Sequence, residues 1–141
     1  MSGGTPRLED YPIRVEQPVA WGQMDALGHL NNTVYFRFFE DARMAAFEAI
    51  GLNAHMEATG EGPILAKTSC VFRAPITWPD RITVGTRIVD LGEDRFTMEY
   101  AIFSEAKGLA AIGDGRIVLL DYATGEKVAV PPAIREAIEA L

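Results

Sequence analysis

One carboxylate, one imidazole, two glycines and an adjacent pair of asparagines fall within residues 21–32, which read Trp-Gly-Gln-Met-Asp-Ala-Leu-Gly-His-Leu-Asn-Asn. The pattern that follows predicts an apolar-faced helix over 33–50. A carboxylate in a glycine-punctuated loop that feeds a helix N-terminus is equipped for chemistry on a polarised carbonyl. Asp25 supplies a base or nucleophile. The free N–H groups of the first helical turn supply oxyanion donors.

The elements that must position this loop can be read on either side of it. A strand is expected over 13–21, with Ile13, Val15, Gln17 and Val19 alternating with more polar neighbours and Pro18 marking an edge or bulge. On the helix, Tyr35, Phe38, Phe39, Ala42, Ala46 and Ile50 share one broad face, and Phe36, Glu40, Arg43 and Phe47 form a second stripe. Residues 53–63 read as a loop or short irregular helix. Strands are expected over 64–78, 81–91, 95–105 and 109–121, joined by short turns as an antiparallel meander. A short helix over 132–141 ends the chain. One long helix and a run of sequential strands leave few packing solutions. The expected class is α+β, a five-stranded antiparallel sheet wrapped around a central helix, with edges that a second copy would cover as a homodimer or dimer of dimers.

Composition excludes several roles. A chain of 141 residues has room for one domain with a real core. We read residues 1–10 as a flexible terminus and 11–141 as that domain. A net charge of -7 argues against a nucleic-acid partner but leaves room for a small anion held by a local basic patch. The first ten residues lack the apolar core of a signal peptide, and no window reaches membrane-spanning length, so no membrane partner is expected. The single cysteine, Cys70, forms no internal disulfide and fits a reducing compartment, which makes the cytoplasm the expected location. Two histidines and one cysteine, far apart, offer no zinc spacing. Neither metal nor cofactor is expected.

The run Asp25-Ala26-Leu27-Gly28-His29-Leu30-Asn31-Asn32, followed by Tyr35 and Glu40-Asp41-Ala42-Arg43, resembles the signature of the hotdog-fold acyl-CoA and acyl-ACP thioesterases. The nearest groups are the 4-hydroxybenzoyl-CoA thioesterases and the plant-type fatty-acyl-ACP thioesterases. Phe72-Arg73-Ala74-Pro75 and Trp78-Pro79-Asp80 match the family's second-strand pattern. The resemblance implies that Asp25 acts as nucleophile or as general base toward water. It places the carbonyl-polarising N–H at Asn32, with His29 as a third catalytic group. Leu27 stands where the plant-type enzymes carry an asparagine, so His29 ranks below the other two. Gly28, Asn31, Phe36 and Arg73 are the expected substrate contacts, Phe36 on the acyl side and Arg73 toward the polyanionic carrier. The implied substrate is an acyl-CoA or acyl-ACP thioester, whose thiolate leaves easily and needs little general-acid help.

Two other function classes stay open: a hotdog hydratase or dehydratase, and a non-catalytic acyl-CoA binder. Other residues have ordinary readings. Glu40 and Arg43 stand at ion-pair spacing, Cys70 is a small core residue, and Gly113-Asp114-Gly115 marks a bulge or a close backbone approach. His55 receives no role.

Overall fold

Helix α1 (Asn32–Ala49) starts where the sequence first offers a cap. Asn31 is extended (φ -60°, ψ 139°), and its side-chain oxygen accepts the Thr33 N–H at 3.0 Å. That satisfies one of the donors a helix start leaves open. Tyr35, Phe38, Phe39, Ala42, Ala46 and Phe47 recur at helical spacing, and all are buried. Gly51 takes a left-handed φ of 80°, the geometry that lets α1 stop and α2 (Leu52–Thr59) begin. The computed structural model describes residues 4–141. Of the terminus read as flexible, residues 1–3 lie outside the described residues, and Leu8–Asp10 forms a 3-10 turn.

Strands β1 (Ile13–Pro18), β2 (Glu61–Phe72), β3 (Arg81–Val89), β4 (Arg95–Ser104) and β5 (Gly108–Asp121) form one antiparallel sheet. Its concave face holds α1, with Ile82, Val84, Phe96, Met98, Tyr100, Ile102 and Ile117 packed beneath the helix. This is the hotdog arrangement. Helix α3 (Pro132–Glu139) adds Ile134 and Ile138 to the same core. Among the described residues no helix is long and apolar enough to cross a membrane.

Three expectations from the sequence need correction. The first strand stops at Pro18, and residues 21–23 turn as a short 3-10 helix. The second stops at Phe72 rather than 78, because the N–H groups of Arg73 and Ala74 both converge on the Ala110 carbonyl and close the ladder. The strands after α1 are also not a simple meander. Their order is β1-β3-β4-β5-β2, so β2 pairs with β5 at the far edge. Three strand spacings separate β2 from β3, roughly 14 Å. The link over residues 73–80 can span about 26 Å when extended, so it carries the chain across with slack. It is pinned on the way: Ile76 accepts the Leu30 N–H at 2.8 Å and donates its own N–H to the Tyr35 hydroxyl at 3.3 Å.

The helix sits close to β5 because that strand has no side chain at Gly113. A Cβ there would lie 2.5 Å from the Phe39 ring and would also collide with the Ser69 carbonyl. Both neighbours are fixed, one by the core and one by the β2 ladder. Gly113→Ala is therefore expected to cost about 1–3 kcal/mol through overpacking. Gly22→Ala, where a Cβ meets open space, is expected to stay within about 0.5 kcal/mol. Urea denaturation of both variants checks the contrast.

Candidate active site

Residues 24–31 form a loop clamped at its base. Met24 and Leu30 pair as an isolated antiparallel bridge, and the Asn31 N–H donates to the Gln23 carbonyl at 3.0 Å. Leu30 is buried, and its N–H is the tie to Ile76 described above. Within the loop, Asp25 organises the turn. Its N–H donates to the His29 carbonyl at 2.8 Å, and its carbonyl accepts the Gly28 N–H at 3.0 Å. Its carboxylate Oδ1 accepts the Leu27 N–H at 2.8 Å, an Asx turn. Gly28 sits at φ 79°, which few residues adopt without strain. One carboxylate oxygen is thereby fixed, and among the described residues the other has no hydrogen-bond partner.

This loop, the start of α1 and the end of β2 enclose a cleft of about 460 Å³. Its walls are Asp25, His29, Leu30, Asn31, Asn32, Tyr35 and the run Phe72, Arg73, Ala74, Pro75. The donors at the helix start are not equivalent. Thr33 N–H is taken by the Asn31 side chain and Val34 N–H by the Asn31 carbonyl at 2.9 Å. Asn32 N–H has no partner among the described residues. It is a free amide at the positive end of an 18-residue helix, in the same cleft as a half-occupied carboxylate.

Five of the seven expected site residues thus share one cleft: Asp25, His29, Asn31, Asn32 and Arg73. The other two do not line it. Gly28 shapes the turn behind Asp25. Phe36 lies one turn into α1, edge-on to Phe39 at 5.9 Å between ring centroids. Asp25 and His29 are linked through main chain only; no side-chain hydrogen bond joins them among the described residues.

Five wall residues escape the sequence reading as site components: Leu30, Ala74, Pro75 and the aromatic pair Tyr35 and Phe72. Phe72 is 48% exposed and meets Tyr35 edge-on at 4.8 Å. The helical periodicity assigns Tyr35 to the core face, where most of its ring does lie. Its hydroxyl donates to the Ala74 carbonyl at 3.4 Å and holds the crossing link against the helix. Burial raises its pKa, so it remains a phenol. The signal available was its position, one turn after the cap. Nearby, burial pushes the Cys70 thiol up to about 11, which keeps it protonated and a poor nucleophile at neutral pH. Glu40 stands 4.0 Å from Arg43 and outside the cleft. His55, unassigned from sequence, meets Glu61 at 2.9 Å.

Comparisons with known proteins converge on one description. A family model described as thioesterase-like superfamily matches residues 19–138. The L-carnitine dehydrogenase/betainyl-CoA thioesterase of Agrobacterium fabrum is 31% identical over 133 residues, covering 94% of this chain and 28% of that protein. This chain therefore spans less than a third of that relative. A thioesterase from Thermus thermophilus, solved in complex with coenzyme A and Zn, is 33% identical at a TM-score of 0.80, covering 91% of this chain and 98% of that one. A protein from Pseudomonas aeruginosa strain PAO1 matches at 30% identity and a TM-score of 0.83, with 95% and 94% covered.

Proposed function

Because this chain belongs to the thioesterase-like superfamily, we propose that it hydrolyses acyl-coenzyme A thioesters in the 460 Å³ cleft at the start of α1. One observation carries the reading: Asn32, whose first-turn N–H has no partner among the described residues, lines the same cleft as Asp25. The thioester carbonyl oxygen docks on that N–H. Asp25 acts in one of two ways: as base it takes a proton from a water whose oxygen bonds to the carbonyl carbon, giving the acid once the C–S bond breaks; as nucleophile its own oxygen forms that bond, and the acyl-aspartyl anhydride left after C–S cleavage is hydrolysed by a water that restores the carboxylate. The tetrahedral oxyanion is held by the amide and the helix dipole. It collapses with cleavage of the C–S bond, and coenzyme A leaves as a thiolate that takes a proton from solvent. His29 orients water or thioester by hydrogen bonding. Arg73, exposed at the rim, meets the anionic carrier.

Coenzyme A as carrier is supported by the Thermus thermophilus complex and by the betainyl-CoA relative. We read residues 11–141 as one catalytic domain acting in the cytoplasm, where a single free thiol, Cys70, is at home. It works as a homodimer. Strand β2 is a twelve-residue edge that exposes Ile64, Leu65, Val71 and Phe72 at 41–55%. Pairing with a second β2 would cover that edge and wall the open side of the cleft.

Release of free thiol from a panel of benzoyl-, butyryl-, decanoyl- and palmitoyl-CoA, with acyl-carrier-protein esters alongside, tests the proposal. At least one ester is expected to turn over with kcat/KM above about 10⁴ M⁻¹ s⁻¹. Loss of enoyl absorbance from crotonyl-CoA without thiol release would favour a hydratase. Tight binding with no turnover of any ester would favour a non-catalytic acyl-CoA binder.

A further inference from the structure

Asp80 ends the link over residues 73–80 and lies outside the cleft, yet its half-buried carboxylate engages three donors. Oδ1 accepts the Arg81 N–H at 2.7 Å and the Ala106 N–H at 3.3 Å, and Oδ2 accepts the hydroxyl of the buried Ser104. Its main-chain carbonyl takes the Val19 N–H at 2.9 Å. Among the described residues no cation pairs with it, and the neighbouring Arg81 turns its guanidinium to Glu16 at 2.9 Å. Hydrogen bonds to an ionised acceptor are short, strong and directional, so this carboxylate fixes positions rather than balancing a charge. Ser104 and Ala106 belong to the hairpin between β4 and β5, which holds the link at two further points. The Ala110 carbonyl takes the Arg73 and Ala74 N–H groups at 2.8 and 3.0 Å, and the Lys107 ammonium donates to the Pro75 carbonyl. Ser104 joins these ties, because its Oγ also accepts the Lys107 N–H at 3.0 Å.

Resting on the thioesterase reading, we infer that Asp80 is a positioning residue for hydrolysis: by pinning the link to the β4–β5 hairpin it sets the gap between the two walls of the cleft. One wall is Arg73, Ala74 and Pro75, carried by the link. The other is the loop from Asp25 to Asn32, which has its own bridge at Met24 and Leu30 and its own cap on α1. The walls meet where Leu30 and Tyr35 touch Ile76, where Tyr35 touches Ala74 and where the Trp78 N–H points at the Met24 sulfur at 3.5 Å. No hydrogen bond of Asp25 or Asn31 passes through Asp80. Loosening the knot therefore leaves the reacting groups in place and lets the opposite wall drift. A drifting wall weakens its hold on the ester in the ground state and the transition state alike. Such a loss raises KM and spares kcat.

The test is steady-state thiol release from the preferred acyl-CoA, run well below the melting temperature of each variant. Asp80→Ala removes all three side-chain bonds and is expected to raise KM at least about fivefold with kcat within about twofold of wild type. Charge alone predicts the opposite sign, since losing a carboxylate eases the approach of a polyanionic carrier. Asp80→Asn keeps an oxygen for the Arg81 and Ala106 N–H groups and offers its own N–H to Ser104 Oγ, so its KM is expected to stay within about twofold of wild type. Should Asp80→Ala not fold, Ser104→Ala removes one of the three bonds and is expected to raise KM by about two- to threefold. A wild-type KM in folded Asp80→Ala, or in Ser104→Ala where the first does not fold, makes Asp80 a structural residue alone and overturns the inference. So does a fall in kcat at unchanged KM, or an Asp80→Asn variant as impaired as Asp80→Ala. Thiol release with unaltered KM sinks this inference by itself; no release from any ester by the wild type sinks the thioesterase reading with it.

Discussion

Asp25→Asn is expected to lower kcat/KM for the preferred acyl-CoA by at least about a hundredfold, the lower end of what a positioned base or nucleophile contributes, and to leave the fold unchanged. Asparagine is the informative substitution because the proposed function gives Asp25 two jobs, one for each carboxylate oxygen. Its Oδ1 holds the Leu27 N–H at 2.8 Å and so builds the turn. The other oxygen has no hydrogen-bond partner among the described residues, and Asp25 lines the cleft. An asparagine oxygen can keep the Leu27 bond and carries no charge, so the turn survives and the reactive group does not. A hundredfold loss corresponds to about 2.7 kcal/mol of barrier. If Asp25 only shapes the loop, Asp25→Asn will turn over like wild type while Asp25→Ala will lose thermal stability. That pair of results, read from steady-state kinetics and a melting curve, would take the aspartate out of the mechanism.

How much of this could be read from residue types depends on how local the determining physics is. The start of α1 could be read to within one residue because a cap, a dipole and a run of apolar residues at helical spacing act within a few turns. The loop from Asp25 to Asn32 could be read as a unit because its hydrogen bonds connect neighbours two to four residues apart. Strand order could not. Nothing in the alternation of β2 distinguishes pairing with β3 from pairing with β5. That choice is made by the link over residues 73–80, whose ties to Leu30 and Tyr35 span more than forty residues of sequence. Tyr35 illustrates the same limit. Its ring fits the periodic core face, so only the fold reveals that its hydroxyl edge borders the cleft. Phe36 is the converse. Its aromatic character in the second stripe places it with the substrate, and the structure turns it toward Phe39 instead. Arg43 reads as half of an ion pair from its spacing. Burial against Tyr100 is a property of the packed helix and cannot be seen in a wheel.

Asn32→Pro would remove the proposed oxyanion donor without removing the helix, a separation that few positions permit. Asn32 is the first helical residue, where a missing N–H breaks no intrahelical bond and proline's fixed φ suits the geometry. The residue before a proline must be extended, and Asn31 already is, at φ -60° and ψ 139°. The Asn31 side chain continues to cap Thr33, so the folded state loses nothing it was using. What disappears is the amide of the first turn that has no partner among the described residues. Losing a single oxyanion donor typically lowers kcat by about 10²–10³, and a loss in that range is expected for acyl-CoA hydrolysis. Asn32→Ala keeps the amide and is expected to stay within about threefold of wild type, because Asn32 acts through its main chain in this reading. The melting temperature of the proline variant is expected to match or exceed that of wild type, since proline also restricts the unfolded chain. Full activity in Asn32→Pro would place the oxyanion elsewhere in the cleft. A large loss in Asn32→Ala would shift the role from the backbone to the carboxamide.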